Sequence, residues 1–417
     1  MGYSHWTKTK VPPPDLEYNQ AHKPVREQEV AIGHSVRAVY MYTAMADLAR
    51  ETGDQSLLDA CRRLWNNIVN KQMYITGGIG STHHGEAFSF DYDLPNDTIY
   101  AETCASIGLI FFAHRMLQIE PHGRYADVME RALYNTVLSS MSRDGRHFFY
   151  VNPLEVWPEA SVKNPGKRHV KPVRQKWFGC ACCPPNVARL LTSLNQYIYS
   201  YDKNTVYAHL YIGGEAEIQL ESGIIKLKQE NRYPWEGKIK FTVTSCSAGE
   251  VVLALRIPNW CKNWSVAVNC RAAANIGVEN GYALVSGCWK AGDEIVLDME
   301  LSVELMQANP KVRADAGKVA VQRGPLVYCF EQTDNGENLS ALALDLKSDI
   351  SSHEDSSVLE GAIFLKANGF RTDAGAGGDE LYIPYRSDEK EVELKAVPYF
   401  MWGNRAPGEM LVWIAKK

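Results

Sequence analysis

Two periodicities divide the chain. Over residues 30–52, Val36, Val39, Tyr40, Tyr42, Met45, Leu48 and Ala49 recur at helical intervals and predict a helix. A second helix is expected over 56–71, ending before Thr76-Gly77-Gly78-Ile79-Gly80, and residues 81–95 read as a polar and aromatic loop. Asp97 is placed to cap a third helix over 98–119. Pro121 and Gly123 then punctuate before a fourth over 125–140. Residues 146–176 read as irregular or strand-like. Pro184 and Pro185 open a last helical pattern over 187–199, where a missing N–H has no partner to lose. Residues 1–29 form an extended lead-in broken by Pro12, Pro13, Pro14 and Pro24.

After Ser200 the pattern becomes short alternating segments. Examples are Val206-Tyr207-Ala208-His209-Leu210-Tyr211, Ile239-Lys240-Phe241-Thr242-Val243 and Val251-Val252-Leu253-Ala254-Leu255-Arg256-Ile257. Turn signals separate them in the manner of a β-sandwich. Pro310 and Gly324-Pro325 mark an expected boundary. Residues 333–380, rich in Asp, Ser and Gly, are expected to form long loops, and Leu381-Tyr382-Ile383-Pro384-Tyr385 and Met410-Leu411-Val412-Trp413-Ile414 read as strands. The expected division is a helical domain over 1–199 and β-sandwich-type domains over 200–309 and 310–417, with no internal repeat of fixed period.

Composition narrows the class. The 417 residues suffice for two or three domains. A net charge of −5 without a basic run argues against nucleic acid as a partner. No apolar stretch approaches the ~18 residues of a membrane span. Residues 1–14 carry no signal-peptide apolar region, and ten cysteines without a regular framework argue against a secreted disulfide scaffold, so a cytoplasmic location is expected. The 10 Trp and 21 Tyr suit a protein that grips sugar rings, and equally a β-rich core.

The densest chemistry is Phe178-Gly179-Cys180-Ala181-Cys182-Cys183-Pro184-Pro185-Asn186. A helix N-terminus favours thiolate over thiol, and adjacent Cys182 and Cys183 do not readily bridge each other. Metal ligation and nucleophilic chemistry both remain open, and packing alone explains one or two buried cysteines better than this cluster. Glu102-Thr103-Cys104 adds metal-type ligands, although the spacing is not that of a zinc ribbon or finger. Residues i and i+2 of a helix point about 200° apart. Glu102 and Cys104 therefore share an ion only if the helix is irregular there or starts late. Glu86 follows His83-His84-Gly85 in a loop, where catalytic groups often gather and where a lone Glu is usually only solvated. Gly77-Gly78-Ile79-Gly80 lacks the lysine and spacing of a phosphate loop.

Together, Gly77-Gly78-Ile79-Gly80-Ser81 leading to Gly85-Glu86, Tyr100-Ala101-Glu102-Thr103-Cys104-Ala105 and Cys180-Ala181-Cys182-Cys183-Pro184-Pro185-Asn186 resemble glycoside hydrolase family 127. The segments Pro398-Tyr399-Phe400-Met401-Trp402-Gly403-Asn404-Arg405 and Pro407-Gly408-Glu409-Met410 are similar to it as well. The resemblance implies a retaining β-L-arabinofuranosidase that takes arabino-oligosaccharides or glycoconjugates and contains Zn2+. It implies Cys182 as nucleophile, with Glu102, Cys104 and Cys183 as further zinc ligands, and Glu86 as acid/base. His34, Tyr150 and Cys180 match residues that line the sugar pocket. It also implies an (α/α)6 barrel. The helical segments here correspond to its later half only, so the expected fold is multidomain α and β, a partial (α/α)6 barrel followed by two β-sandwich-type domains. The earlier half is then expected to be missing, through a truncated product, a misassigned start or a split enzyme. A carbohydrate substrate is the expected partner, with neither nucleic acid nor membrane, and with a homodimer through the β domains or a separate N-terminal half as the protein partner. The competing readings are a non-catalytic zinc-containing carbohydrate-binding or structural protein, and a zinc-free thiol redox protein.

Overall fold

A computed structural model describes residues 15–273, 276–356, 360–372, 380–384 and 389–417. Part of the expected lead-in, over 1–14, lies outside these residues, as does Tyr385. The chain builds a mixed helical and β fold in several parts.

The helical part contains α1 (Ser35–Thr52), α2 (Gln55–Asn67), α3 (Thr103–Leu117), α4 (Gly123–Arg131), α5 (Pro158–Lys163) and α6 (Cys183–Thr192). Between α1 and α2, Gly53 takes the left-handed conformation (φ 68°), and the Asp54 carboxylate then accepts from Leu57 N–H at 3.0 Å to cap α2. Helix α3 is buried along nearly its whole length and contacts α1, α4 and α6. Phe112 packs with Tyr42 and Trp65, and Trp65 with Tyr125, in one aromatic core. Helices α2 and α4 each run on into a wider π-helical turn, Ile68–Gln72 and Ala132–Val137. At Gly77 (φ 81°) the loop touches the second turn so closely that a Cβ would lie 2.6 Å from Ala132 Cα. Gly77 thus serves close backbone packing.

Two starts come five residues later than the sequence pattern expects. Helix α1 begins five residues later than expected, because Gly33 (φ 74°) turns the chain just before it. Helix α3 begins at Thr103 rather than 98. Ala101 has φ 41° and Glu102 is extended (φ −56°, ψ 136°), and Asn152 Nδ2 fastens this bend by donating to Ala101 O at 2.9 Å and Thr103 Oγ1 at 3.0 Å. Asp97 caps nothing. Its carboxylate pairs with Lys167.

The β part forms three sheets. A five-stranded sheet runs, in spatial order, Gly277–Glu279, Tyr282–Gly287, Val251–Arg256, Thr205–Ala208 and Tyr199–Asp202. A six-stranded sheet runs Gly214–Leu220, Gly223–Asn231, Lys238–Cys246, Glu294–Met299, Trp264–Val268 and Arg271–Ala272. Val206, Leu253 and Val285 of the first share one hydrophobic core with Leu227, Ile239, Phe241 and Leu297 of the second, as the alternating burial of these strands dictates. The third, ten-stranded sheet takes the C-terminal strands and also Glu155–Val156 from the helical part, which pairs with Met410–Leu411.

Three expectations in this region are corrected. Gly324-Pro325 is the tight turn of a hairpin between Lys318–Arg323 and Leu326–Glu331, not a boundary. The expected loops of 333–380 contain the ten-residue strand Ile363–Thr372, paired with Glu389–Pro398, because the apolar residues Phe364, Leu365 and Ala367 find a core despite the surrounding Gly and Asp. Residues 381–384 form no strand, and Leu381 and Tyr382 stand in solvent.

A buried polar cluster couples the helical and β parts. Fully buried Arg256 donates to Asp127 Oδ1 at 2.7 Å and to His209 O at 2.6 Å, and it pairs with Glu130. Glu130 also accepts from Tyr233 OH at 2.6 Å and Trp260 Nε1 at 3.0 Å. Burial pushes the Asp127 carboxyl up to about 6 despite the guanidinium. Removing one partner of such a network strands the others. Arg256→Met is expected to destabilise the protein by about 3–5 kcal/mol, seen as a lowered urea midpoint; an unchanged midpoint would show that water replaces the guanidinium.

Candidate active site

The late start of α3 decides the site. With Glu102 outside the helix and Cys104 on its first turn, both side chains can face the same point, and the geometric conflict of the i, i+2 spacing disappears. A second segment of the site, residues 150–152, is laced onto this bend. Thr103 N–H donates to Tyr150 O at 3.0 Å, and Glu102 bridges with Val151. From the other side comes α6, with Cys182 at its N-cap and Pro184 and Pro185 in its first turn.

These elements bring together Glu102, Cys104, Cys182 and Cys183, whose ligand atoms all lie within 4.8 Å of one another. Cys183 Sγ is 3.8 Å from both Cys104 Sγ and Cys182 Sγ. Cys182 Sγ lies 3.3 Å from Glu102 Oε1 and 3.2 Å from the Tyr150 hydroxyl. Glu102 is 2% exposed and its Oε2 is buried with no hydrogen-bond partner. Burial and the neighbouring Cys182 push its carboxyl up to about 9. Hydrogen bonds from Cys104 and Cys183 hold the Cys182 thiol far below its usual range, and those same contacts with burial push Cys104 and Cys183 up. A buried orphan carboxylate oxygen among three sulfurs is a donor set short of positive charge, which fits a metal ion.

The second constellation centres on Glu86. Its Oε2 is 3.0 Å from His34 Nε2, at the N-cap of α1, and its Oε1 accepts from Tyr100 OH at 2.8 Å. Those two hydrogen bonds, His34 first, hold its carboxyl below the ordinary carboxylate range. Gly85 (φ 69°) passes so close to Tyr18 that a Cβ would sit 2.5 Å from the ring, which fixes the turn presenting Glu86. His34, Glu86 and Glu102 are also close enough to form a second candidate ligand set.

Both constellations line one cavity of about 550 Å³. Glu86, Glu102, Cys104, His34, Tyr150, Cys180 and Cys182 all border it, with Cys183 buried directly behind. Cys180 stands at C-x-x-C spacing from Cys183 yet stays exposed, outside the sulfur cluster. The structure adds residues to which sequence reasoning gave no role. Tyr100 holds Glu86, Asn152 shapes the bend, and Val36, Tyr40, Asn186 and Arg189 line the cavity wall. Tyr100 and Asn186 carried a signal, as parts of the Tyr100-Ala101-Glu102 and Cys180-to-Asn186 motifs.

Residues 3–196 match the family model described as beta-L-arabinofuranosidase, GH127 catalytic domain. Residues 205–301 match the GH127 middle domain and 303–415 the family 127 C-terminal domain. The chain belongs to glycoside hydrolase family 127. It is 42% identical over 411 residues to a non-reducing end beta-L-arabinofuranosidase of Bifidobacterium longum subsp. longum, covering 95% of this chain and 61% of that protein. Among solved structures, a GH127 beta-L-arabinofuranosidase from Geobacillus stearothermophilus T6 superposes with a TM-score of 0.93 at 52% identity, over 96% of this chain and 63% of that one. A second GH127 beta-arabinofuranosidase gives a TM-score of 0.87 at 38% identity, over 96% and 63%. The chain thus spans a little over three fifths of the length of these family 127 relatives. None of its described helices is long and apolar enough to cross a membrane.

The hydrogen bonds to Glu86 set its acidity. Tyr100→Phe removes one donor to the carboxylate, so the Glu86 carboxyl pKa is expected to rise toward the ordinary glutamate value, and His34→Asn is expected to raise it further. Carboxyl-carbon NMR titration of labelled protein reads this directly, and a pKa unmoved by both changes would contradict the assignment.

Proposed function

We propose that this chain carries the catalytic centre of a retaining β-L-arabinofuranosidase, with Zn2+ at Glu102, Cys104, Cys182 and Cys183, Cys182 as nucleophile and Glu86 as acid/base. The observation that carries the reading is the sulfur spacing. Two thiolates bound tetrahedrally to zinc at ~2.3 Å are ~3.8 Å apart, and Cys183 lies at 3.8 Å from both Cys104 and Cys182. The name of the curated relative supplies the sugar. The proposed architecture is the later half of an (α/α)6 barrel over 1–199, with β-sandwich modules over 200–309 and 310–417; the strand Val303–Met306 pairs into the sheet of the last module.

Zinc, when bound, supplies the positive charge that keeps three sulfurs ionised at neutral pH and moderates their reactivity. Cys182 is the reacting thiolate because it alone of the three zinc-ligand cysteines borders the cavity with a half-open side chain, while Cys183 is sealed beneath it. Its sulfur attacks the anomeric carbon as the glycosidic C–O bond breaks, and Glu86 gives its proton to the departing oxygen. This leaves a sugar–cysteine thioether. Ionised Glu86 then takes a proton from water, whose oxygen displaces the sulfur, restoring thiolate and protonated Glu86. Two displacements at one carbon give net retention. The pair from His34 and Tyr100 favours ionised Glu86 in the free site, which suits the second step. The first step draws on the protonated fraction, so it accelerates as pH falls toward the depressed Glu86 pKa.

Elemental mass spectrometry should find one zinc per chain, and an aryl β-L-arabinofuranoside should be turned over to the β-product. Cys182→Ser should cost about 10³-fold or more in kcat, and Glu86→Gln should slow both steps. Zinc without turnover would favour the non-catalytic binding protein; folded protein with no zinc would overturn the reading.

A further inference from the structure

Away from the zinc cluster, a second cavity of about 540 Å³ lies where Glu155–Val156 joins the C-terminal sheet. Its floor is Trp157, 54% exposed at the N-cap of α5 and in no ring contact among the described residues. Around it stand the carboxylates of Glu155, Glu159, Glu337 and Glu409 and the amide of Gln332, with no Lys or Arg in the lining. Several of these groups have capacity to spare. Glu155 is two-thirds buried and its nearest cation is Lys318 at 3.9 Å, and Gln332 uses its carbonyl oxygen on Glu409 N–H at 2.9 Å while its amide N–H pair has no partner among the described residues.

A buried carboxylate beside an open indole wants hydroxyl donors on one side and an apolar ring face on the other. A neutral sugar offers both. Glu159 pairs with Lys163 at 2.5 Å and Glu155 approaches Lys318, yet the lining stays net negative and disfavours an anionic ligand, and a cleft of this volume holds one or two sugar units. We propose that this cleft is a secondary binding subsite for neutral saccharides, stacking one ring on Trp157, accepting a hydroxyl hydrogen bond at Glu155 and donating one from the Gln332 amide; the Glu409 carboxylate is already engaged by Asn338 and Leu339 N–H at 3.0 and 2.8 Å. Trp157 follows Tyr150 of the first cavity by seven residues, so these two residues lie at most about 25 Å apart. The choice of saccharide rests on the proposed function, whereas the site itself does not depend on turnover.

Fluorine NMR of 5-fluorotryptophan-labelled protein tests this at the residue itself, with the Trp157 resonance assigned by its loss in Trp157→Phe. Titration with neutral arabino-oligosaccharides of increasing length should shift that resonance, and oligogalacturonides should leave it in place. Affinity measured by calorimetry should fall at least tenfold in Trp157→Ala and be largely kept in Trp157→Phe, while turnover of the small aryl glycoside is unchanged in both. A shift in protein that turns over no glycoside supports the subsite and counts only against the catalytic reading. A resonance that ignores the neutral sugars, or one moved equally by calcium ions alone, overturns the proposal.

Discussion

The structure depends on a carboxylate and three sulfurs crowded together, with Glu102, Cys104 and Cys183 buried and Cys182 half-open to the cavity. Left as four ionised groups they would repel one another with little screening, and left protonated they would waste the buried oxygen of Glu102, which has no donor. The surrounding chain is arranged to enforce this crowding. Ala101 is held at a positive φ, Asn152 ties the bend, and α6 starts with two prolines that leave its N-terminus aimed at Cys182. Strain and charge are concentrated at one point, as expected at a functional site.

Around this point two carboxylates are set in opposite senses. Glu102 is sealed in and pushed toward its neutral form, while Glu86, at the cavity wall, is held ionised by His34 and Tyr100. Groups only a few ångströms apart therefore answer differently to protons.

Much of this site was legible in the sequence because its residues sit in short, chemically dense runs. Cys180 to Asn186, Glu102 with Cys104, and Gly85-Glu86 each stand out locally. What the pattern could not give was the break at Ala101–Glu102. The apolar residues Ile99 and Tyr100 continue the helical stripe of α3, so periodicity placed the helix start too early, whereas the tertiary hold of Asn152, some fifty residues on, decides it. The same limit applies to the strand Ile363–Thr372. Its Gly and Asn lower local β preference, and only pairing with Glu389–Pro398 overrides that. The wall residues Tyr40 and Arg189 carry no motif, since their role comes from meeting across the cavity at the Tyr40 hydroxyl.

The pairing of Glu155–Val156 with Met410–Leu411 has a consequence for synthesis. The ribosome releases the Tyr150–Val156 segment long before its partner strand exists. Until residues 410–411 emerge, that segment lacks its edge, and Tyr399, whose hydroxyl donates to Pro153 O at 2.8 Å, is not yet there to seat it. The wall of the cavity beside Cys182 is therefore completed late, so the Cys182 sulfur sits in a finished pocket only once nearly all of the β part has been made.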